Sequence, residues 1–355
     1  MPLLPIEDVE PGSYLGHTIY AEDGRPLLQR GVRLTQSYIR RLTMRGYKSL
    51  FVLSEAERDV ELQDVISPVL RQNAQQILFN TFNTLTNGRD HRDIETHIHR
   101  MDDVVDLIVE ELQYHDTLVA DLVNLKCVSS YTLEHSVNVG ILGAMVGFRY
   151  GLNRKEVRNL LLAGLFHDIG KLFVPDEILN KPGKLTDEEF EEMRSHPEKG
   201  FQLLHYQFDV DPIISVGSWT HHERWDGNGY PKGMTGEEIH KFGRILAAVD
   251  VYDAMTSDRV YREGLPPDTV LEYIRGESGS HFEPKAVQTV NKTIFPFPTG
   301  VRVHLSTGEE AIVVENHPRA LNRPTVRVLN SRTEYDLSAE ADISIKSQAP
   351  ALQLV

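Results

Sequence analysis

Two pairs of adjacent side chains that can hold a metal, His167-Asp168 and His221-His222, constrain this chain more than any other feature. Neighbouring residues on a helix point about 100° apart, so one ion rarely takes both members of a pair well. A carboxylate at Asp168 can instead bridge two ions while His167 binds one. His135, His196 and Asp250 add further nitrogen and oxygen donors in the same stretch, and such mixed donors suit divalent transition metals. Taken singly, each has a plainer role. His135 would pass for a core or surface residue, and His196, before Pro197, for the start of a helix. His97, His99, His205 and His240 have no such company and read as structural or solvated. Fifteen histidines scattered at random seldom give two adjacent pairs of this kind.

The surroundings of these residues are helical. From 116 to about 295 the apolar residues recur at helix spacing. Residues 61–115 also read as helices, with Ile66, Leu70, Ala74, Ile77 and Leu78 on one stripe. Val104, Leu107, Ile108 and Leu112 form another, and Asn87-Gly88-Arg89-Asp90 reads as the turn between them. Such stripes usually face a core within the chain; here they could also pair two copies as a homodimer. Residues 1–60 read as a small α+β module. Short strands such as His17–Tyr20 lead to a helix capped by Thr35, with Ile39 and Leu42 on one face, and Phe51-Val52-Leu53 returns as a strand. This module reads as a cap or docking unit, with a signalling protein as its partner. Residues 299–355 read as a small β-rich unit. Its strands lie near 301–305, 311–314 and 326–329, with a turn at Thr307-Gly308.

A net charge of −15 argues against a nucleic-acid polymer or an anionic membrane as partner. It leaves room for a small anion, because bound cations would invert the local field. The single cysteine, Cys127, cannot form an intrachain disulfide and reads as a small buried hydrophobe. The N-terminus lacks a basic region ahead of an apolar one, and apolar runs such as Leu160–Phe166 are too short to span a bilayer. The expectation is a cytoplasmic protein.

The strings around the donors resemble the HD-GYP family of cyclic di-GMP phosphodiesterases. His167-Asp168-Ile169-Gly170-Lys171 resembles the HD phosphohydrolase motif, and His196-Pro197-Glu198-Lys199-Gly200 the element that follows it. His221 through Pro231 is similar to the HHExxDGxGYP string. Asp250 through Thr256, followed by Arg259-Val260-Tyr261-Arg262, is similar to DxxDAxT…RxYR. The resemblance covers roughly 116–295, within a catalytic domain drawn at 116–298. It implies a mainly α fold: a helical HD-domain bundle flanked by the α+β N-terminal unit and the β-rich C-terminal unit.

The resemblance further implies a binuclear centre, with iron first and manganese, zinc or nickel as alternatives. Asp168 would bridge the ions. His135, His167 and Asp250 would lie on one side, and His196, His221 and His222 on the other. The substrate implied is cyclic di-GMP, opened to linear pGpG by a water activated between metals about 3.5–4 Å apart. Asp168 and Lys171 are the catalytic candidates. Lys171, one turn beyond the His-Asp pair, reads as a phosphate contact and proton source. Arg259 and Arg262 read as clamps on phosphate or guanine. Two glycines that allow positive φ shape the 226–231 loop, from which Tyr230 would meet the nucleotide. Asp253 reads as an orienting partner rather than a ligand. Members with three metals carry a glutamate four residues before His135, where this chain has Tyr131. Two metals are therefore expected, with turnover mainly stopping at pGpG. The alternatives are a non-catalytic cyclic di-GMP sensor, or an HD phosphohydrolase for another cyclic dinucleotide.

Overall fold

The structure is a computed structural model that describes residues 3–16, 18–20, 26–47, 49–53, 57, 60, 65–86, 91–114, 131–181, 183–208, 210–257 and 264–349. His17, the turn at 87–90, Cys127, Arg259 and Arg262 lie outside them. These residues fall into two compact units, one of 66–114 with 131–293, the other of the chain before 66 with that from 294.

The second of these units begins with β1 (Leu3–Pro5), β2 (Tyr14–Leu15), β3 (Ile19–Tyr20), β4 (Pro26–Leu28), α1 (Gln36–Met44) and β5 (Ser49–Leu53). β1, β5 and β2 form an antiparallel sheet in that order, and β3 pairs with β4. Thr35 caps α1 by accepting from the Tyr38 amide at 3.3 Å. Ile39 and Leu42 turn inward onto Leu15, Leu34 and Val52.

The helical unit follows. Its elements are α2 (Pro68–Thr86), α3 (His91–Tyr114), α4 (Tyr131–Tyr150), α5 (Arg154–Leu165), α6 (Asp176–Leu179), α7 (Asp187–Arg194), α8 (His196–Gln207), α9 (Pro212–Thr220), α10 (Lys241–Thr256), α11 (Pro267–Gly276) and α12 (Pro284–Thr293). α2 and α3 pack on each other and onto α4 and α5. Val104, Ile108 and Leu112 are buried, but Leu107 is exposed and Ile66 precedes α2. The apolar stripe is therefore narrower than its spacing suggests. Two helix starts are set by capping boxes, Asn153 with Glu156 and Thr186 with Glu189. His240 caps α10 through the Phe242 amide at 3.2 Å, and burial pushes its pKa down to about 4. A neutral ring is what a cap acceptor requires.

The chain closes with β6 (Arg302–Leu305), β7 (Glu310–Glu315), β8 (Thr325–Val328), β9 (Glu334–Asp336) and β10 (Ile345–Gln348). They form one antiparallel sheet ordered β10-β6-β7-β8-β9 over a core of Val303, Leu305, Val313, Val326 and Val328. The turn before β7 uses Gly308 at φ 86°, a conformation glycine adopts without a Cβ clash. Among the described residues, no helix is long and apolar enough to cross a membrane.

Candidate metal centre

The donors reach one point because glycines let their segments touch. A Cβ at Gly164 in α5 would lie 2.6 Å from Cα of Gly140 in α4, so these helices cross at van der Waals contact of their backbones. A Cβ at Gly243 in α10 would lie 2.2 Å from Thr220 Oγ1, which draws α10 against the end of α9. At Gly170 it would lie 1.9 Å from the His196 carbonyl oxygen and 2.6 Å from the Gly200 nitrogen. The three contacts join the segments bearing His135, Asp250, His167-Asp168, His196 and His221-His222.

His167 and Asp168 do not sit on a helix, contrary to the geometry assumed from sequence. α5 ends at Leu165, the pair occupies the turn beyond it, and Ile169–Phe173 forms a short 3-10 helix. The turn lets the two side chains face one centre. Lys171 lies on this 3-10 helix and its Nζ reaches Asp168 Oδ2 at 2.5 Å, so the expected proximity is realised by a different local conformation.

Three imidazoles share one device. Nδ1 of His167, His196 and His221 lies 2.7, 2.7 and 2.5 Å from the carbonyl three residues earlier, of Gly164, Met193 and Ser218. A carbonyl only accepts, so each Nδ1 carries the proton and each Nε2 presents a lone pair. His135 is held differently: its Nδ1 meets Asp253 Oδ2 at 2.8 Å. Asp253, read from the sequence as an orienting partner, is thus within hydrogen-bond distance of His135.

The Nε2 atoms converge on Asp168. Its Oδ2 lies 3.3 Å from His167 Nε2 and 3.9 Å from His135 Nε2, and its Oδ1 lies 3.3 Å from His196 Nε2 and 3.8 Å from His221 Nε2. Two compact donor groups result: His135, His167 and Asp250, and Asp168, His196, His221 and His222. His167 Nε2 and Asp168 Oδ1 are buried without a hydrogen-bond partner. Buried lone pairs that face each other are costly unless a cation lies between them. This donor set fits divalent metal ions.

The electrostatics differ between the two groups. Burial would push His135 down, but the Asp250 and Asp253 carboxylates hold it up at about 10, so a cation bound there would displace the proton they favour. Burial outweighs the Asp250 carboxylate at His222 and pushes it down to about 3. Burial would raise Asp168 and Asp250; the Lys171 ammonium beside the first and the His135 imidazole beside the second hold both well below the usual carboxylate range.

The loop after His222 folds back over it. The Tyr230 amide donates to the His222 carbonyl at 3.1 Å, and the two rings stack with centroids 4.7 Å apart. The Arg194 guanidinium lies 4.8 Å from the Tyr230 ring. Gly227 adopts φ 82°, as expected, but Gly229 does not need a positive φ. Its lack of a side chain matters because a Cβ would lie 2.3 Å from the Arg224 nitrogen. Glu223, buried, accepts from the amides of Lys232 and Met234 at 2.7 and 3.0 Å and so anchors the loop. Glu223→Ala should lower stability by about 1–3 kcal/mol, because two amides lose their acceptor. Chemical denaturation measures this; an unchanged midpoint would remove Glu223 from the anchoring role.

Asn138, Arg71, Glu223 and Arg194 escaped the sequence reading. Glu223 stands inside the HHE string and Asn138 one turn from His135, so both had a local signal. Arg71 and Arg194 had none. The side chain of Tyr131 lies outside the described ones, as do Arg259 and Arg262.

Residues 117–286 match the HD domain family. The chain is 42% identical over 231 residues to cyclic di-GMP phosphodiesterase PA4108 of Pseudomonas aeruginosa, covering 64% of this chain and 55% of that protein. Residues 117–286 are an HD domain. The chain is also similar to 3'3'-cGAMP-specific phosphodiesterase 2 of Vibrio cholerae, at 34% identity over 52% of this chain and 36% of that protein. The chain thus spans about half or less of the length of these relatives. The fold recurs in Bd1817, an HDG"Y"P protein of Bdellovibrio bacteriovorus. That structure matches with a TM-score of 0.51 at 15% identity, over 81% of this chain and 97% of that one.

Proposed function

We propose that this chain hydrolyses cyclic di-GMP to linear pGpG at two divalent cations. The observation that carries the reading is the division of seven buried or half-buried donors into two groups about the two oxygens of Asp168. His135, His167 and Asp250 would hold one ion and His196, His221 and His222 the other, with Asp168 shared. Iron or manganese suits this mixture of nitrogen and oxygen donors, and zinc or nickel is tolerated. Bound cations would supply Lewis acidity and an activated water.

The chain's own residues do the rest. Hydrolysis forms one bond from phosphorus to the water oxygen and breaks one to the ribose oxygen. Lys171, beside Asp168, is the group we take to steady the phosphate and return a proton to the departing ribose oxygen. Tyr230 would pack on the nucleotide, and Arg259 and Arg262 would bind phosphate or guanine. Asp253 keeps the His135 lone pair aimed inward. With Tyr131 in place of a glutamate, a third cation lacks its ligand, so pGpG should accumulate over GMP.

Anaerobically purified protein tests this by metal analysis and by cleavage of cyclic di-GMP beside 3'3'-cGAMP. Alanine at both His167 and Asp168 should abolish metal and turnover together. Turnover that survives metal loss would sink the mechanism. Faster cleavage of 3'3'-cGAMP would move the substrate, and binding without cleavage by metal-loaded protein would make the chain a sensor.

A further inference from the structure

A file of polar side chains leads from the metal centre out of the matched HD domain. His135 Nδ1 meets Asp253 Oδ2 at 2.8 Å, Asp253 Oδ1 meets Asn138 Nδ2 at 3.0 Å, and Asn138 Oδ1 meets Arg71 Nη1 at 2.6 Å. Asp253 is buried, and Asn138 is 9% exposed. Arg71 stands on α2, outside the matched residues 117–286. α2 packs against α4, which carries both His135 and Asn138.

The file has one direction, and Arg71 and Asp253 at its two ends both require it. A guanidinium only donates, so the Asn138 oxygen must face Arg71 and its NH2 must face Asp253. The Asp253 carboxylate only accepts, so His135 must present N–H at Nδ1, which leaves Nε2 as the ring atom that can face a cation. Nε2 lies 3.0 Å from Asp250 Oδ1. Reversing the Asn138 amide would set its oxygen against the Asp253 carboxylate and loosen the imidazole at the far end.

We infer that Arg71 is a positioning residue that acts from α2, through Asn138 and Asp253, to keep the lone pair of His135 aimed at one of the two cation positions and so tunes the affinity of that position alone. The inference rests on the reading of His135 as a metal ligand. It gives α2, a helix outside the family's matched region, a means of adjusting one cation while the other stays bound by His222 and by His196 and His221, whose rings main-chain carbonyls orient.

Titrating Mn²⁺ into metal-free full-length protein tests this without any nucleotide. Arg71→Met should weaken one of two Mn²⁺ binding events by about tenfold, the lower end of what loss of an orienting partner costs. The other event should stay at its wild-type affinity. Arg71→Lys, which keeps a donor, should restore the weakened event to within about threefold of wild type. Wild-type affinity at both positions in Arg71→Met overturns the inference. So does an equal loss at both, or an Arg71→Lys variant no better than Arg71→Met. If Arg71→Met fails to fold, Asn138→Asp decides. It retains the pair with Arg71 but sets a carboxylate against Asp253, so the same single event should weaken; unchanged binding overturns the proposal. Wild-type protein that binds two Mn²⁺ ions yet leaves cyclic di-GMP intact would sink the proposed activity and leave this inference standing.

Discussion

Asp168→Asn is expected to strip the protein of both divalent ions and to lower cyclic di-GMP turnover by well over 100-fold. Loss of an orienting partner alone costs about 10–100-fold, and Asp168 faces one donor group through Oδ2 and the other through Oδ1. The substitution keeps the side-chain volume, so the fold should survive. It removes the charge that faces His167 and His196 at 3.3 Å on either side. It also deprives Lys171 of its carboxylate partner. An amide nitrogen in place of one oxygen would donate where a cation needs a lone pair. Metal content per chain and product analysis measure the two losses side by side. Two full equivalents of metal in Asp168→Asn would show that the donor groups bind independently and would end the shared-ligand assignment.

Gly170→Ala should have the largest effect on the fold of any single methyl addition near the site. The new Cβ would lie 1.9 Å from the His196 carbonyl oxygen and 2.6 Å from the Gly200 nitrogen. Both are main-chain atoms, so no flexible side chain can yield. Overpacking a closed contact costs about 1–3 kcal/mol and occasionally more. Here relief requires the turn with Asp168 to part from the first turn of α8, which bears His196. A lower melting temperature and a loss of metal affinity should therefore appear together. Gly276→Ala is the matched control, since a Cβ there meets nothing within 4 Å. At the end of α11 it should be neutral or stabilise by up to about 1 kcal/mol. Equal melting temperatures for the two variants would remove the close approach as an organiser of the site.

The donors were legible because their chemistry is written in short strings. His167-Asp168 and His221-His222 stand out against any scatter of single histidines, and Asp253 could be assigned as a partner from its offset to Asp250. The conformation carrying the first pair was not legible. The apolar run Leu160–Phe166 continues a helical pattern directly into His167, so spacing alone extends the helix too far. The chain tightens there instead: the His167 amide bonds the carbonyl three residues back, at 3.4 Å from Gly164. This lets Gly170 land on α8, a requirement set by a segment some thirty residues away. Gly229 shows the same limit. Its place in the loop was visible, but the reason for it, contact with the Arg224 backbone, lies in three dimensions. Leu107 shares a period with three buried neighbours and is still exposed, because α3 meets its partners over a narrower arc than its apolar residues span.

The way the imidazoles are held bears on how the protein could be re-engineered. His167, His196 and His221 take their orientation from peptide carbonyls. Every amino acid supplies that acceptor, so point substitution at Met193 or Ser218 leaves the bond intact provided the backbone holds its course, while Gly164 is closed to a side chain by its contact with Gly140. His135 takes its orientation from side chains, which a single codon change replaces. A library selected for altered metal preference should therefore collect its gains around Asp253 and Asn138 and stay largely silent at the three carbonyl donors. The centre would diversify from one corner.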